Sequence, residues 1–183
     1  MKFYPMIGLT GLLLVNSVAY AAWDTSDPPT FAGDVLQIAI PLTGLGMAYA
    51  KGDTEGMKQL AYTVVVNQAI TEGMKYGFDG TALGERPDGG RRSFPSGHTS
   101  GACAGATFIG QRYGWSYGSV AMVPAGYVGW SRVNAERHHV RDVVAGCALG
   151  VATGLLLTSP EGNQTITPWY ENKTFGVTIS SKW

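Results

Sequence analysis

The chain has 183 residues and a mass of 19.4 kDa, a length typical of one domain. Thirteen basic and thirteen acidic side chains cancel, which excludes nucleic-acid binding driven by an excess of positive charge. The two cysteines are too few for a disulfide framework or a four-thiolate zinc site. Charged residues make up only 14% of the chain, against about 25% in ordinary soluble domains. Nothing in the composition indicates a protein partner.

The few charges are unevenly distributed and leave six long runs without Asp, Glu, Lys or Arg. Runs of about 18 or more apolar residues are candidate membrane spans, because roughly 20 helical residues cross the hydrocarbon core. A soluble, glycine-rich helical bundle stays open as the alternative, since some runs are short or polar and the mean hydropathy is only +0.03. The runs cover residues 3–23, 35–50, 59–71, 93–111, 113–131 and 143–160.

The first 22 residues have two readings. Lys2, an apolar stretch and the sequence Ala19-Tyr20-Ala21 are typical of a secretory signal peptide with an A-x-A cleavage site. An uncleaved first transmembrane helix fits the same residues. Either reading sends the segment that follows residue 22 out of the cytoplasm.

The remaining runs favour helix, because they are rich in Ala, Leu, Met and small residues and lack sustained strand alternation. We predict an all-α, up-and-down bundle that occupies residues 23–160, with kinks at Pro41 and Pro124. A polar tail, 161–183, follows, in which the alternation over 174–179 indicates a short strand or an extended flap. The six predicted helices cover 6–22, 34–50, 54–76, 97–112, 116–131 and 139–158.

Up-and-down packing brings distant polar residues to one end of the bundle. Several cations at one end of a neutral protein indicate a bound anion with several oxygens, and the planar arginine fork suits phosphate. The helix that opens at Ser96-Gly97 adds free backbone N–H groups. The residues expected at this end are Lys75, Arg86, Ser96, His98, Arg132, His138 and Asp142.

The histidines are the candidates for catalysis. His138 and Asp142 are four residues apart, so one helical face carries both, and the carboxylate can fix the imidazole tautomer. The other ring nitrogen is then free to act as a nucleophile, while His98 can protonate a leaving oxygen. A zinc site built from these three residues is disfavoured by the neighbouring cations, so we expect neither a metal nor another cofactor.

The same residues carry a family resemblance. Arg86-Pro87, Pro95-Ser96-Gly97-His98, and Ser131-Arg132 followed by His138 and Asp142 resemble the three-part signature of the type 2 phosphatidic acid phosphatase family. The resemblance implies a six-helix membrane fold and a metal-independent phosphatase. It also implies that His138 attacks phosphorus and forms a phosphohistidine, that Asp142 orients it, and that His98 is the general acid. Phosphate-binding roles are implied for Lys75, Arg86, Ser96, Gly97 and Arg132.

One part of the signature departs from the family. Six residues usually separate the family's lysine from the Arg-Pro pair, whereas ten separate Lys75 from Arg86. We interpret residues 77–80 as a four-residue insertion. Whether the Lys75 ammonium still reaches the phosphate depends on how this insertion folds.

The leading hypothesis is a multi-pass enzyme of the bacterial inner membrane whose site faces the periplasm and hydrolyses a lipid phosphate or polyprenyl diphosphate. The alternatives are a soluble periplasmic acid phosphatase of broad specificity, a vanadate-dependent haloperoxidase of the same superfamily, and a non-catalytic lipid-binding protein. Cys103 and Cys147 lie five residues after His98 and Asp142 on helices that we expect to be neighbours. They can form a disulfide or pack as two small buried residues; we favour packing.

Overall fold

The computed structural model describes residues 25–162, 164–171 and 174–181. This part of the chain forms five α-helices and a two-stranded antiparallel sheet. The predicted helix or signal peptide at 1–22 lies outside the described residues. The elements are α1 (Pro28–Ala50), α2 (Thr54–Gly77), α3 (Gly97–Tyr113), α4 (Trp115–Asn134), α5 (Val140–Leu157), β1 (Gln164–Glu171) and β2 (Thr174–Ser181).

Local sequence signals explain where most helices start. The side chain of Asp53 accepts a hydrogen bond from the Gly56 N–H at 2.8 Å and so caps α2. Ser96 caps α3 in the same way through the Thr99 N–H. The prediction that α1 begins at residue 34 is wrong, because it begins at Pro28. Proline lacks the N–H that the first helical turn leaves unpaired, so it is well placed there.

Helix α3 is the centre of the bundle and contacts all four other helices. Most of its residues are buried, and Phe108 is its largest fully buried side chain. Small residues dominate this helix, which allows the neighbouring backbones to approach closely. The core formed around it contains Ile40, Leu60, Ala102, Cys103, Ala106, Phe108, Ile109, Ala125 and Val128.

Helix α5 lies closest to α3 along a row of three glycines at intervals of four residues. A Cβ atom added at Gly146 would come within 2.4 Å of the Ser96 carbonyl oxygen. A Cβ atom at Gly150 would come within 2.2 Å of the Ser100 carbonyl oxygen, and one at Gly154 within 2.6 Å of the Thr107 Cβ atom. The glycines therefore set the distance between the two helices.

A disulfide between Cys103 and Cys147 also joins α3 to α5, with a Cα–Cα distance of 5.2 Å. The interpretation favoured on sequence, two separate packing residues, is corrected here. The cause is the same close helix approach, which brings the two side chains within bonding distance.

The C-terminal residues correct a second expectation. In place of a tail with one short extended segment, β1 and β2 pair as a hairpin in which Gln164 is opposite Ser181 and Glu171 is opposite Thr174. The Trp169 ring lies over Gly176 on the opposite strand, where a Cβ atom would come within 2.3 Å of it. The cross-strand contact of an aromatic ring with a glycine favours this register.

Two helices of the described region, α1 and α5, are long and apolar enough to cross a membrane. Large apolar side chains also cover much of the outer surface of the bundle; Val123 is 74% exposed and Leu156 is 80% exposed. The buried interior, in contrast, contains many polar side chains, such as Gln59, Asn67 and Thr71. An apolar exterior around a partly polar interior is typical of helical membrane proteins.

Candidate active site

The structure brings every site residue predicted from sequence to one end of the bundle. This end comprises the start of α1, the end of α2, the start of α3, the end of α4 and the start of α5, together with the loop over 78–96. Hydrogen bonds and ion pairs link these segments to one another. The opposite end carries a separate buried ion pair, in which Arg112 Nη2 lies 2.6 Å from Asp53 Oδ1.

His138 lies just before α5 and is 4% exposed, while Asp142 in the first turn of α5 is fully buried. Their nearest polar atoms, His138 Nδ1 and Asp142 Oδ2, are 3.8 Å apart. The Ser93 hydroxyl donates to Asp142 Oδ2 at 2.5 Å and lies 3.5 Å from His138 Nδ1. The His139 backbone N–H also donates to Asp142 Oδ2, at 2.9 Å. The carboxylate is thereby fixed on the Nδ1 side of the ring.

Burial and neighbouring positive charge determine the protonation state of His138. Burial lowers the pKa of this imidazole, the Asp142 carboxylate opposes the change, and the cations Lys75 and Arg86 lower it further, to about 4. At neutral pH the ring is therefore unprotonated. With Nδ1 on the side of Asp142, the lone pair of Nε2 is the one available for attack on an electrophile.

The start of α3 faces this histidine. Ser96 is fully buried, and its backbone N–H donates to the Asp142 carbonyl oxygen at 2.9 Å, which ties the helix start to α5. Gly97 is the first helical residue, and a Cβ atom there would lie at ordinary contact distances, 3.5 and 3.6 Å, from Thr71 and Lys75. The helix start provides N–H groups and the positive end of the helix dipole.

Lys75 is buried at the end of α2 and reaches this helix start despite the insertion. Its Nζ atom donates to the Arg92 carbonyl oxygen at 2.8 Å. The inserted residues form a turn that packs back on the loop, since Phe78 meets Phe94 edge to face at 5.3 Å and Asp79 pairs with Arg91 at 2.9 Å. The turn thus accommodates the four extra residues without removing the ammonium from the cluster.

Arg86 belongs to the loop between α2 and α3 and is fixed through its backbone. Its N–H donates to the Gly90 carbonyl at 2.8 Å, and its carbonyl accepts from the Gly89 N–H at 3.0 Å. Within the described residues, the buried Nε atom of Arg86 has no hydrogen-bond partner. A buried guanidinium N–H without a partner is a donor available to an anion.

Arg132 and His98 converge on a residue that the sequence analysis did not select, Asp34. Arg132 Nη1 donates to Asp34 Oδ1 at 2.7 Å, and His98 Nε2 lies 3.1 Å from the same oxygen. Arg132 also donates from Nη2 to the Thr30 carbonyl at 2.6 Å. The start of α1 therefore orients two of the predicted site residues.

Two residues at the site were therefore missed, Asp34 and Ser93. The sequence held one signal for Asp34, an isolated carboxylate at the edge of a long apolar run, where a charge needs a buried partner. Ser93 carried no signal beyond its position three residues before Ser96. Among the described residues, no group of three His, Cys, Asp or Glu side chains is placed to hold a metal ion.

The fold and this site together define a class: a helical bundle with an unprotonated histidine and several cationic side chains gathered at one end, an arrangement that suits an anion. Comparison with known proteins identifies the family within that class. Residues 57–165 match the family model of the PAP2 superfamily. The matched region covers more than half of the chain and includes most of α2 and all of α3 to α5, so the chain belongs to this superfamily.

Relatives of known name are lipid A phosphatases. The chain is 33% identical over 135 residues to a lipid A 4'-phosphatase of Helicobacter pylori, which covers 69% of this chain and 68% of that protein. It is 34% identical over 120 residues to a lipid A 1-phosphatase of Porphyromonas gingivalis, covering 61% of this chain and 26% of that longer protein. A family of phosphatases and these relatives make the chain an enzyme that hydrolyses phosphoric monoesters.

Two solved structures share the fold. One is Aquifex aeolicus LpxE, with a TM-score of 0.52, 21% identity, and coverage of 80% of this chain and 93% of that one. The other is a transmembrane PAP2-type phosphatidylglycerolphosphate phosphatase of Bacillus subtilis, with a TM-score of 0.55, 24% identity, and coverage of 82% and 86%. The predicted helical fold of this family is confirmed for the described helices.

Proposed function

We propose that this protein is a metal-independent lipid phosphatase that works through a phosphohistidine on His138. The observation that carries the proposal is the unprotonated, buried imidazole of His138, which Asp142 holds and whose pKa the nearby cations Lys75 and Arg86 lower. A neutral nitrogen nucleophile beside positive groups suits an attack on a phosphate dianion, because the cations offset the repulsion between lone pair and anion.

In the first step, His138 Nε2 forms a bond to phosphorus while the bond from phosphorus to the lipid oxygen breaks. His98 gives its proton to that oxygen, so the lipid leaves as an alcohol. Asp142 stabilises the positive charge that develops on His138. Lys75, Arg86, Arg132, the Ser96 hydroxyl and the Gly97 N–H bind the three non-bridging oxygens as charge builds on them.

In the second step, water attacks phosphorus from the side that the alcohol has left. His98, now neutral, takes a proton from this water, and the bond from phosphorus to His138 breaks. Inorganic phosphate leaves, and both histidines return to their starting states. The cations of the chain supply the charge stabilisation that a metal ion supplies in other phosphatases.

The membrane is the proposed setting of the reaction. The apolar exterior of the bundle and the helices α1 and α5 support a multi-pass protein, and a lipid substrate then reaches the site from the bilayer. The site lies at the end where α1 starts, and a signal peptide or a first membrane helix at 1–22 would put that end in the periplasm. We therefore propose the outer face of the inner membrane.

Among lipid phosphates, lipid A is the first candidate, since two relatives are named for its 1-phosphate and its 4'-phosphate. The site supports any phosphate ester of this kind, as the groups that converge at it are all directed at the phosphoryl group. Phosphatidate, phosphatidylglycerol phosphate and undecaprenyl diphosphate are the alternatives that the same chemistry admits.

The test is phosphate release by the purified protein in detergent from each of these lipids and from nitrophenyl phosphate. We expect wild type to hydrolyse at least one lipid phosphate, with undiminished activity after treatment with a chelator. His138→Ala should lose roughly 10³-fold or more, as removal of a nucleophile does. His139→Gln is the matched control, because His139 is next in sequence but its ring contacts the Glu85 carbonyl at 3.2 Å instead.

Equal rates for wild type and His138→Ala would remove the proposed mechanism. The covalent intermediate gives a second, independent measurement. Rapid acid-free quenching with a ³²P-labelled lipid should trap label on wild type and His139→Gln and none on His138→Ala. Label that persists on His138→Ala would assign the nucleophile to another residue.

A further inference from the structure

Asp34 is a buried carboxylate that the proposed reaction does not use. It lies in the second turn of α1 and is 4% exposed. Its Oδ1 atom is 2.7 Å from Arg132 Nη1 and 3.1 Å from His98 Nε2. Burying a carboxylate without partners costs free energy, so the contacts with Arg132 and His98 stabilise Asp34 in its buried position.

The packing of α1 against α4 explains how Asp34 reaches Arg132. Gly33, the residue before Asp34, lies so close to α4 that a Cβ atom there would come within 2.1 Å of the Ser131 hydroxyl oxygen and 2.8 Å of Arg132 Nη2. Only glycine allows α1 this near to the Ser131-Arg132 step. The close approach delivers the Asp34 carboxylate to the guanidinium.

Arg132 is held on three sides by this arrangement. Its Nη1 donates to Asp34, its Nη2 to the Thr30 carbonyl at 2.6 Å, and its Nε to the Ser131 hydroxyl at 3.2 Å. A guanidinium has five N–H groups, so one on each terminal nitrogen is left for a phosphate. The arginine is therefore presented in one orientation before the substrate arrives.

His98 is the second group that Asp34 controls. Charged groups from three other elements surround its ring: Asp34 from α1, Lys75 from α2 and Arg132 from α4, and the His138 ring lies nearby. Asp34 is the carboxylate next to Nε2, which is buried and has no aligned hydrogen bond in the described region. Burial lowers the pKa of this imidazole, Arg132 and Lys75 add to the effect, and Asp34 is the group that opposes it by favouring the protonated ring.

We propose that Asp34 is a positioning residue that favours the protonated form of His98, which donates the proton to the leaving oxygen, and that it holds Arg132 towards the phosphate. The inference rests on the proposed function, in which His98 is the general acid. Each catalytic histidine then has its own carboxylate: Asp142 supports the nucleophile and Asp34 supports the general acid. The second comes from α1, outside the residues matched by the family model, 57–165.

The test compares two leaving groups on one lipid. The pair is the lipid phosphate that wild type hydrolyses fastest and its analogue with sulfur in place of the bridging oxygen. An alkoxide must be protonated as it leaves, whereas a thiolate leaves as a stable anion, so only the oxygen ester depends on a general acid. Asp34→Asn retains an oxygen for Arg132 but removes the charge beside His98.

We expect Asp34→Asn to lower kcat on the oxygen ester roughly 10- to 100-fold, a part of what a general acid contributes, and to change kcat on the sulfur ester by threefold at most. His98→Ala should show the same selectivity. Asp53→Asn is the matched control: it is another buried aspartate paired with an arginine, at 2.6 Å from Arg112, but at the opposite end. It should lower the melting temperature and leave the ratio of the two rates unchanged.

Equal losses on both esters in Asp34→Asn would overturn the inference. Asp34→Glu keeps the negative charge, so the ratio of its kcat on the oxygen ester to its kcat on the sulfur ester should stay near that of wild type. This variant tests the proposal even if Asp34→Asn does not fold. If Asp34→Glu shows the same ratio of the two kcat values as His98→Ala, the proposal is contradicted. Failure of the proposed function is a separate result, because it is read from wild type and His138→Ala alone.

Discussion

The backbone N–H of Ser96 donates to the backbone carbonyl of Asp142 at 2.9 Å. This single bond joins the start of α3, which carries the proposed phosphate-binding Gly97 N–H and His98, to the first turn of α5, which carries the carboxylate behind His138. The two segments are 46 positions apart in the chain, so nucleophile and anion site keep a fixed distance only through contacts between α3 and α5. Several expectations depend on that arrangement.

The rate should depend on pH through His138. Its pKa of about 4 lies below the ordinary 6.5, so the nucleophile stays unprotonated until the solution is strongly acidic. We expect kcat/KM, which reports the ligand-free enzyme, to fall through His138 only as the pH approaches 4. A profile from pH 3.5 to 8, corrected for ionisation of the substrate phosphate, would measure it. An acid limb near pH 6.5 that persists after this correction would contradict a buried His138 nucleophile. The unfolded chain takes up this proton at a higher pH than the folded protein does. The contribution of His138 to the free energy of unfolding is therefore fully present above pH 6.5 and is lost as the pH falls towards 4.

Lys75→Met should impair the reaction and move the acid limb to higher pH. The substitution removes a cation that stabilises charge on the phosphoryl oxygens, with an expected loss of roughly 10²-fold in kcat. It also removes a positive neighbour that lowers the pKa of His138, so this imidazole gains its proton at a higher pH. Lys58→Met is the control, since that lysine is exposed at the other end of α2. If Lys75→Met behaves like Lys58→Met, the insertion at 77–80 has removed the lysine from the reaction.

Gly146→Ala should destabilise the protein, although alanine is the better helix former. The added Cβ would come within 2.4 Å of the Ser96 carbonyl and force α5 away from α3, at a cost of about 1–3 kcal/mol. Gly126→Ala in α4 meets nothing within 4 Å and should stabilise by up to about 1 kcal/mol. Melting temperatures in detergent compare the two. Equal effects of both substitutions would mean that the α3–α5 contact tolerates an extra carbon.

The disulfide should stabilise the folded bundle without taking part in the reaction. It closes a segment of 44 residues between Cys103 and Cys147, for which chain entropy gives about 4 kcal/mol. We expect the double variant Cys103→Ser/Cys147→Ser to melt at a lower temperature and to retain kcat at temperatures where it is folded. Wild type treated with a reductant should behave like this double variant. A loss of kcat in either protein well below its melting temperature would contradict a purely structural disulfide.

Much of the fold could be read from the sequence. The helices predicted over 54–76 and 97–112 match α2 and α3 to within one residue, because capping residues and charge-free runs mark their ends. The start of α1 was missed by six residues. Its first two turns are fixed by the Arg132 contacts to Thr30 and Asp34, and no local pattern reports a contact over about a hundred positions.

Around the site, the sequence alone determined the chemistry. The pairing of His138 with Asp142 can be predicted because four residues make about one helical turn. The start of a helix at Ser96-Gly97 can be predicted from the capping residue. Both depend on interactions within a few residues, which short-range geometry fixes. The number and sign of the charges at one end likewise followed from the order of the helices.

Tertiary structure alone decided which atoms meet across the bundle. It turned Asp34 towards His98 and Arg132, put Ser93 between Asp142 and His138, returned Lys75 to the helix start and joined the two cysteines. Each of these contacts depends on how far apart two helices lie and how they are rotated about their axes. Close packing at glycines sets those quantities, and they are a property of the whole bundle that no single segment of sequence specifies.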